Sequence, residues 1–139
     1  MNAMKRKPFN IELLFRALAD RTRLRLLNLM GDDEVCVCFL VEALGTNQPK
    51  ISRHLAYLRR AGIVAARREG KWMHYRLMRP VDPLGAAVLE AVRAYLRYDP
   101  QLQADRSRLV QLCCSPKAPA SLKRAPKPVG VLQRQPRTG

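Results

Sequence analysis

Apolar residues in the first half of the chain recur every three to four positions, which is the spacing of an amphipathic helix. Residues that begin or end helices separate these segments: Asp20 can cap a helix, and Gly31 and Gly45 can end one. The pattern predicts four successive helices, which cover residues 9–19, residues 21–30, a short stretch including residues 39–44, and a stretch that starts at Thr46 or Asn47 and ends at Gly62.

The fourth predicted helix has one apolar and one polar face. Ile51, Leu55 and Leu58 recur at helical spacing and are expected to face the core. Pro49 is compatible with this helix because it lies in the first turn, where its missing N–H is not needed. The outward positions are then occupied by Lys50, Ser52, Arg53, His54 and Tyr57.

After residue 62 the pattern changes to a strand-like alternation and then returns to helical spacing. The predicted elements are a strand over 63–68, a turn at Glu69 and Gly70, a return strand over 71–77, a fifth helix over 84–98 and a sixth over 101–112. Two short helices with a tight connection, followed by a hairpin, define a winged helix-turn-helix. The predicted fold class is mainly α, in the order α-α-α-α-β-β-α with an extra C-terminal helix.

This architecture predicts contact with double-stranded DNA. The second helix of a helix-turn-helix lies in a major groove, and flanking basic groups hold phosphates. The residues assigned to the groove are Gln48, Lys50, Ser52, Arg53, His54 and Tyr57, and those assigned to the wing are Arg67, Arg68 and Lys71. Wing cations mostly add affinity without sequence information. For His54 two interpretations stay open, a base contact or a phosphate-contacting surface histidine, and Tyr57 favours packing over base stacking.

The positive charge is concentrated in the predicted DNA-binding unit. The 139 residues carry a formal net charge of +15. Residues 46–79 hold nine basic residues against Glu69 alone, a net charge of +8, whereas the other residues up to position 114 add only +1. A solvated basic face usually has interspersed acids, which are nearly absent here. We interpret the segment as an electrostatic footprint for a nucleic acid.

Composition divides the chain into three parts. Residues 115–139 hold six basic residues, no acid and five of the ten prolines, without hydrophobic periodicity. Such a segment cannot bury enough apolar surface to offset its ordering entropy. We therefore predict a flexible N-terminus over 1–8, a winged-helix DNA-binding and dimerisation domain over 9–114, and a basic, proline-rich disordered tail over 115–139.

The chain has the features of a cytoplasmic protein. Its longest apolar run, residues 35–41, is far shorter than the roughly 18 residues of a membrane-spanning helix. The basic start is not followed by the apolar stretch of a signal peptide. In the cytoplasm the four cysteines stay reduced, and each of the two pairs is too closely spaced for an ordinary disulfide. A secreted disulfide-rich protein, a transporter and a large enzyme are excluded.

Cys36 and Cys38 lie at the predicted start of the third helix, directly before the DNA-reading unit. Thiolates select soft, thiophilic ions. On a regular helix two side chains at i and i+2 point in different directions, so both could bind one ion only if the first turn unwinds. Ligand binding would then distort the segment that supports the reading helix. The competing interpretation is a pair of small buried hydrophobic residues.

Four segments carry a resemblance to a known family. They are LADRTRL over 18–24, EVCVCFL over 34–40, NQPKISRHL over 47–55 and GKWMHYRL over 70–77. Over about residues 9–112 the chain resembles the arsenical-resistance operon repressors of the ArsR/SmtB class of metalloregulators. The resemblance implies a homodimeric repressor that binds an inverted-repeat operator and leaves it when trivalent arsenic or antimony binds. No constitutive cofactor is implied.

The resemblance also implies roles for individual residues. Cys36 and Cys38 would be the metalloid ligands, and Ser52 and His54 would lie in the recognition helix. The first and fifth helices would form the dimer interface.

The sequence departs from the family pattern at two positions. Val41 stands where a third cysteine is usual, and Phe39 stands where an acidic residue is common. Trivalent arsenic favours three sulfurs, so a third thiolate is missing locally. Cys113 or Cys114, from the same or the partner chain, is the available candidate, and a tail-end pair with no role in binding is the alternative.

Other functions fit the sequence less well. A zinc or cadmium sensor of the same class would carry Asp, His and Glu on its fifth helix, where only Glu90 is found. A thiol-redox sensor could instead oxidise a cysteine pair. An arsenate reductase is disfavoured because no arginine follows any cysteine at the spacing of a phosphatase-like loop. The sequence predicts no enzyme, and DNA binding with silent cysteines stays open.

Overall fold

The computed structural model describes residues 9–114, 122 and 124–128, without the side chain of Cys114. The predicted flexible N-terminus and most of the predicted tail lie outside the described residues. The elements are α1 Ile11–Leu18, α2 Arg21–Met30, β1 Val35–Cys36, α3 Val37–Leu44, α4 Gln48–Arg60, β2 Val64–Glu69, β3 Trp72–Leu77, α5 Pro83–Leu96 and α6 Pro100–Cys114. The predicted winged helix-turn-helix is confirmed, with α3 and α4 as its helix pair and β2 and β3 as its wing.

Capping side chains set the helix starts. The side chains of Asn10, Asp20, Asn47 and Asp82 accept hydrogen bonds from first-turn backbone N–H groups of α1, α2, α4 and α5. α2 ends at Gly31, whose positive φ of 52° is accessible to glycine at little cost. α3 ends at Gly45, which also has a positive φ, and α4 begins after the Asn47 cap. The connection between these two helices is therefore short.

The core lies beneath the helix-turn-helix. The predicted inward face of α4 is confirmed, because Ile51, Leu55 and Leu58 are fully buried. They join buried side chains of α1, α2 and α3, including Phe39, in one hydrophobic cluster. This packing fixes the orientation of α4 and leaves its polar face outward.

A short strand that the sequence did not predict precedes α3. β1 completes a three-stranded antiparallel sheet in the order β1-β3-β2, with Cys36 opposite His74. The expectation that both cysteines lie on the third helix is wrong, because Cys36 is extended (φ −66°, ψ 141°) and only Cys38 lies within α3. The pairing partner is 38 positions away in sequence, so local periodicity could not reveal this strand.

The C-terminal helix α6 packs against α2 and α3. Leu102 and Leu109 are fully buried, and the Asp105 carboxylate accepts two hydrogen bonds from Arg25 at 2.7 and 2.8 Å. Beyond α6, Leu122 and Ala125 are buried and join the core cluster, which the expectation of a wholly disordered tail did not anticipate. Among the described residues, no helix has the length and apolar composition needed to cross a bilayer.

Candidate DNA-binding surface and cysteine site

The N-terminal half of α4 presents the most accessible of the predicted DNA contacts. Gln48, Lys50 and Arg53 are exposed, and Ser52 is half-buried. The Asn47 side chain accepts a hydrogen bond from the Lys50 backbone N–H at 3.0 Å, which holds the first turn in place. Cationic and amide side chains at the exposed start of a helix can contact both phosphates and base edges.

His54 and Tyr57, predicted for the same surface, are anchored to α2 instead of being freely exposed. Arg23 donates a hydrogen bond to His54 Nδ1 at 3.4 Å, and its guanidinium lies 4.3 Å from the centre of the Tyr57 ring. Asp20 lies 3.8 Å from His54 Nδ1. Burial is the main cause that lowers the pKa of His54. Both side chains therefore contribute to the packing of α4 against α2.

Arg23 contacts the candidate site in a way that the sequence did not predict. Besides its contacts with α4, it donates hydrogen bonds to the carbonyl oxygens of Ala17 and Arg16 at 2.7 and 2.8 Å. It thus joins the end of α1, the start of α2 and the reading helix. The available signal was its place in the segment 18–24 shared with the family, but the contact depends on how the helices cross.

The three predicted wing cations have different environments. Arg68 and Lys71 are exposed, and Lys71 lies 5.0 Å from the centre of the Trp72 ring. Arg67 instead forms ion pairs with Glu34 at 2.6 Å and with Glu69 at 2.9 Å. These carboxylates raise the pKa of Arg67, and Arg67 in turn lowers the pKa of Glu34. All three side chains are exposed, but only Arg67 is paired with carboxylates among the described residues.

The two cysteines at the β1–α3 junction point toward each other. Their Sγ atoms lie 3.0 Å apart, within hydrogen-bond distance and longer than the roughly 2.05 Å of a disulfide. The extended backbone at Cys36 brings its side chain over the first turn of α3. The expectation that this turn must unwind before one ion can bind both sulfurs is therefore wrong: the two sulfurs already converge.

The surroundings of the pair favour a thiolate at Cys36. The hydrogen bond with the Cys38 thiol, together with the backbone N–H groups of Cys38 and Val37, lowers the pKa of Cys36 to about 7. The interaction with Cys36 raises the pKa of Cys38. One sulfur is thus a ready soft donor near neutral pH, while the other keeps its proton until an electrophile or ion displaces it.

Cys113 lies near the end of α6, which packs against α3, and its side chain is buried. Among the described residues no group of three or more His, Cys, Asp or Glu side chains could hold a metal ion. The assignment of Cys113 or Cys114 as a third ligand stays a prediction.

A buried histidine lies opposite the pair. His74 is 4% exposed, its Cα is paired with that of Cys36, and its Nε2 atom has no hydrogen-bond partner within the part of the chain that the structure describes. A buried polar nitrogen without a partner is uncommon in folded proteins. Nδ1 lies 3.9 Å from Glu34, and Nε2 lies 3.9 Å from Glu69.

We expect the ultraviolet absorbance of thiolates to show one transition near pH 7 in the reduced protein, since deprotonated Cys36 is stabilised by its neighbour. Replacing Cys38 with Ala removes the thiol donor and should raise the midpoint of that transition, whereas Cys36→Ser should abolish it. Cys113→Ser/Cys114→Ser is the control and should leave it unchanged. A midpoint that does not move in Cys38→Ala would contradict the thiol–thiol hydrogen bond.

The fold is that of a winged-helix DNA-binding protein. It carries exposed basic residues at the start of α4 and on the wing. Residues 20–66 match the model of the family described as bacterial regulatory protein, arsR family. The chain is 42% identical over 103 residues to the arsenical resistance operon repressor of Escherichia coli K12, covering 73% of this chain and 86% of that relative. The chain belongs to the ArsR family and is a DNA-binding transcriptional repressor, not an enzyme.

Further similarities agree with this assignment. The arsenic resistance transcriptional regulator ArsR1 of Pseudomonas putida is 49% identical over 81 residues, which are 58% of this chain and 63% of that protein. Among solved structures, HlyU from Vibrio cholerae superposes with a TM-score of 0.53 at 32% identity, covering 61% of this chain and 89% of that chain.

Proposed function

We propose that the protein is a metalloid-responsive repressor that binds an inverted-repeat operator as a cytoplasmic homodimer and leaves it when As(III) or Sb(III) binds Cys36 and Cys38. Two relatives with substantial identity are named for arsenical or arsenic resistance. The observation that carries the proposal is the 3.0 Å separation of the two sulfurs at the junction that leads into the helix-turn-helix.

The sulfur geometry suits a pyramidal ion better than a tetrahedral one. With metal–sulfur bonds of about 2.3 Å, a tetrahedral site places two thiolates about 3.8 Å apart. A trivalent ion with a lone pair has smaller bond angles, which keep the sulfurs closer together. When arsenous acid reacts, each thiol proton leaves with a displaced hydroxyl as water while a sulfur–arsenic bond forms. The reaction therefore needs no oxidant.

Ligand binding can act on DNA affinity because Cys38 lies in α3 itself. α3 packs against α4 through buried Phe39 and Leu40 and the α4 core residues. A bound ion fixes the positions of the Cys36 and Cys38 sulfurs. It therefore stabilises the conformation of the protein in which α3 is placed to fit the ion. A preference for a dimer geometry that no longer fits both half-sites lowers operator affinity by linkage.

Exposed apolar side chains support a dimer through α1 and α5. Phe15 on α1 is 54% exposed, and Leu84 and Tyr95 on α5 are 60% and 66% exposed. Large apolar side chains grouped on two helices are typical of a surface that another chain covers. Two reading helices about one helical turn of DNA apart would then match an inverted repeat.

The third sulfur is proposed to come from Cys113 or Cys114. Cys113 is buried near the end of α6, the helix that packs against α3, and it belongs to the same core cluster as Cys36. A third donor from either residue would complete the pyramidal site that Val41 leaves incomplete.

The test is anisotropy of a labelled duplex that the reduced wild-type protein has selected from a random library. Arsenite, antimonite, zinc, cadmium and peroxide are titrated in parallel. We expect release by arsenite or antimonite, with at least a tenfold loss of affinity, or about 1.4 kcal/mol, and no release in Cys36→Ser/Cys38→Ser. The matched variant Cys113→Ser/Cys114→Ser keeps two cysteines and decides whether a third sulfur contributes.

The same titration tests a second candidate function. A sulfur separation of 3.0 Å and a pKa of about 7 for Cys36 also suit oxidation to a disulfide, because a thiolate beside a second thiol is readily oxidised. Release by peroxide but not by arsenite would establish a thiol-redox repressor. Release by cadmium or zinc alone would establish a sensor of divalent ions.

A further inference from the structure

A row of side chains crosses the wing sheet and ends at the cysteine pair. Cys36 on β1 is paired with His74 on β3, and His74 is paired with Arg67 on β2. Residues directly opposite each other in an antiparallel sheet project from the same face. Glu34 lies two positions before Cys36 and bonds to Arg67 on that face. The segment that leads into β1 and the wing strand β2 are therefore in direct side-chain contact through Glu34 and Arg67.

All three guanidinium nitrogens of Arg67 donate hydrogen bonds to neighbouring carboxylates. Nε donates to the two carboxylate oxygens of Glu34 at 3.0 and 3.1 Å, and Nη2 donates to Glu34 at 2.6 Å. Nη1 donates to Glu69 at 2.9 Å. Two carboxylates pair with this one guanidinium, and Arg76 is a further cation near Glu34. An arginine that is already paired with two carboxylates attracts a DNA phosphate less than an unpaired one does.

The neighbouring arginine, Arg68, is exposed like Arg67 but differs from it in its partners. Arg68 projects from the other face of β2 and forms no ion pair among the described residues. It is chemically the same residue one position along the same strand. Arg68 is therefore a matched control for Arg67: it shows what an unpaired arginine on the same strand contributes to DNA binding.

We propose that Arg67 is a positioning residue that couples the cysteine pair to the wing through Glu34, and that it is not a phosphate ligand. Glu34 directly precedes β1 and is two residues before Cys36, so a ligand that moves Cys36 also moves the carboxylate that holds Arg67. The planar fork transmits this movement to β2, which carries Arg68 toward the wing tip. The inference rests on the proposed metalloid response.

Lysine variants separate charge from geometry. Arg67→Lys keeps the positive charge but loses the fork that holds Glu34 and Glu69 together. For each variant the dissociation constant of the selected duplex is measured with and without saturating arsenite, and their quotient is the release ratio. We expect Arg67→Lys and Glu34→Gln to bind DNA within about threefold of wild type without arsenite, and to have a release ratio reduced about tenfold, within the usual range of allosteric coupling. Arg68→Lys should keep the wild-type ratio.

Combining the substitutions tests the contact itself. If Arg67 acts through Glu34, Glu34→Gln/Arg67→Lys should lower the release ratio no further than either single substitution, because both remove the same interaction. A release ratio that multiplies the two single effects would overturn the proposed route.

A salt titration without arsenite gives a second, independent measurement. Arg68→Gln should make the logarithmic salt dependence shallower by about 1.8 in a dimer that loses two phosphate contacts, whereas Arg67→Gln should leave the slope unchanged. Equal flattening by both variants would overturn the inference by making Arg67 a phosphate ligand. Wild-type release with an unchanged ratio in Arg67→Lys would overturn the coupling alone. A wild-type protein that arsenite does not release would overturn the proposed function and the coupling with it.

Discussion

Lys50→Ala/Arg53→Ala is expected to weaken binding of the selected duplex about a thousandfold. Both side chains are exposed on the outward face of α4, the face that we propose contacts DNA. The proposed dimer would carry each position twice, and a lost contact of about 1 kcal/mol at each of four positions adds to about 4 kcal/mol. Alanine is a good helix former, so the fold of α4 is retained.

The measurement is anisotropy at fixed salt, repeated over a salt series and accompanied by circular dichroism. Arg124→Ala/Lys127→Ala removes the same charge from two exposed residues of the C-terminal segment and is the control. We expect the control to cost less than about fivefold, since those cations lie outside the helix-turn-helix. Equal losses in the two double variants would show that α4 supplies general charge instead of specific contacts.

Local signals in the sequence account for much of the fold. The bounds of α2 agree with the prediction at both ends. The Asp20 side chain caps the first turn by accepting a hydrogen bond from the Arg23 N–H, and Gly31 directly follows the last residue of the helix. The cap of α4 at Asn47 follows from the same chemistry. Burial of Ile51, Leu55 and Leu58 follows from spacing alone, since one face of an amphipathic helix must leave water.

The details of the candidate site depend on contacts between distant residues. β1 is only two residues long and exists because β3 pairs with it. Its extended backbone, which no local pattern signals, places Cys36 beside Cys38. The ion pair of Arg67 joins positions 33 apart. An arginine in a basic hairpin has the same sequence signature whether it faces a phosphate or a carboxylate, so only the three-dimensional structure separates Arg67 from Arg68.

Asp105→Ala is expected to lower the free energy of unfolding by about 2–3 kcal/mol. The Asp105 side chain is 8% exposed and forms a two-pronged ion pair with Arg25, whose side chain is 21% exposed. Removing one member of a buried pair leaves the other charge without its partner, which costs up to about 3–5 kcal/mol. The cost is smaller here because water can still reach part of Arg25.

Denaturant unfolding at one fixed protein concentration measures this change, because association would otherwise alter the apparent stability. Glu90→Ala removes an exposed carboxylate on α5 and should cost less than about 0.5 kcal/mol. The double variant Arg25→Met/Asp105→Leu should recover part of the loss, since an apolar pair leaves no uncompensated charge. If the double variant is less stable than Asp105→Ala, the ion pair is not the source of the effect. The loss then comes from packing of α6 on α2, the helix that also holds Arg23 against the reading helix.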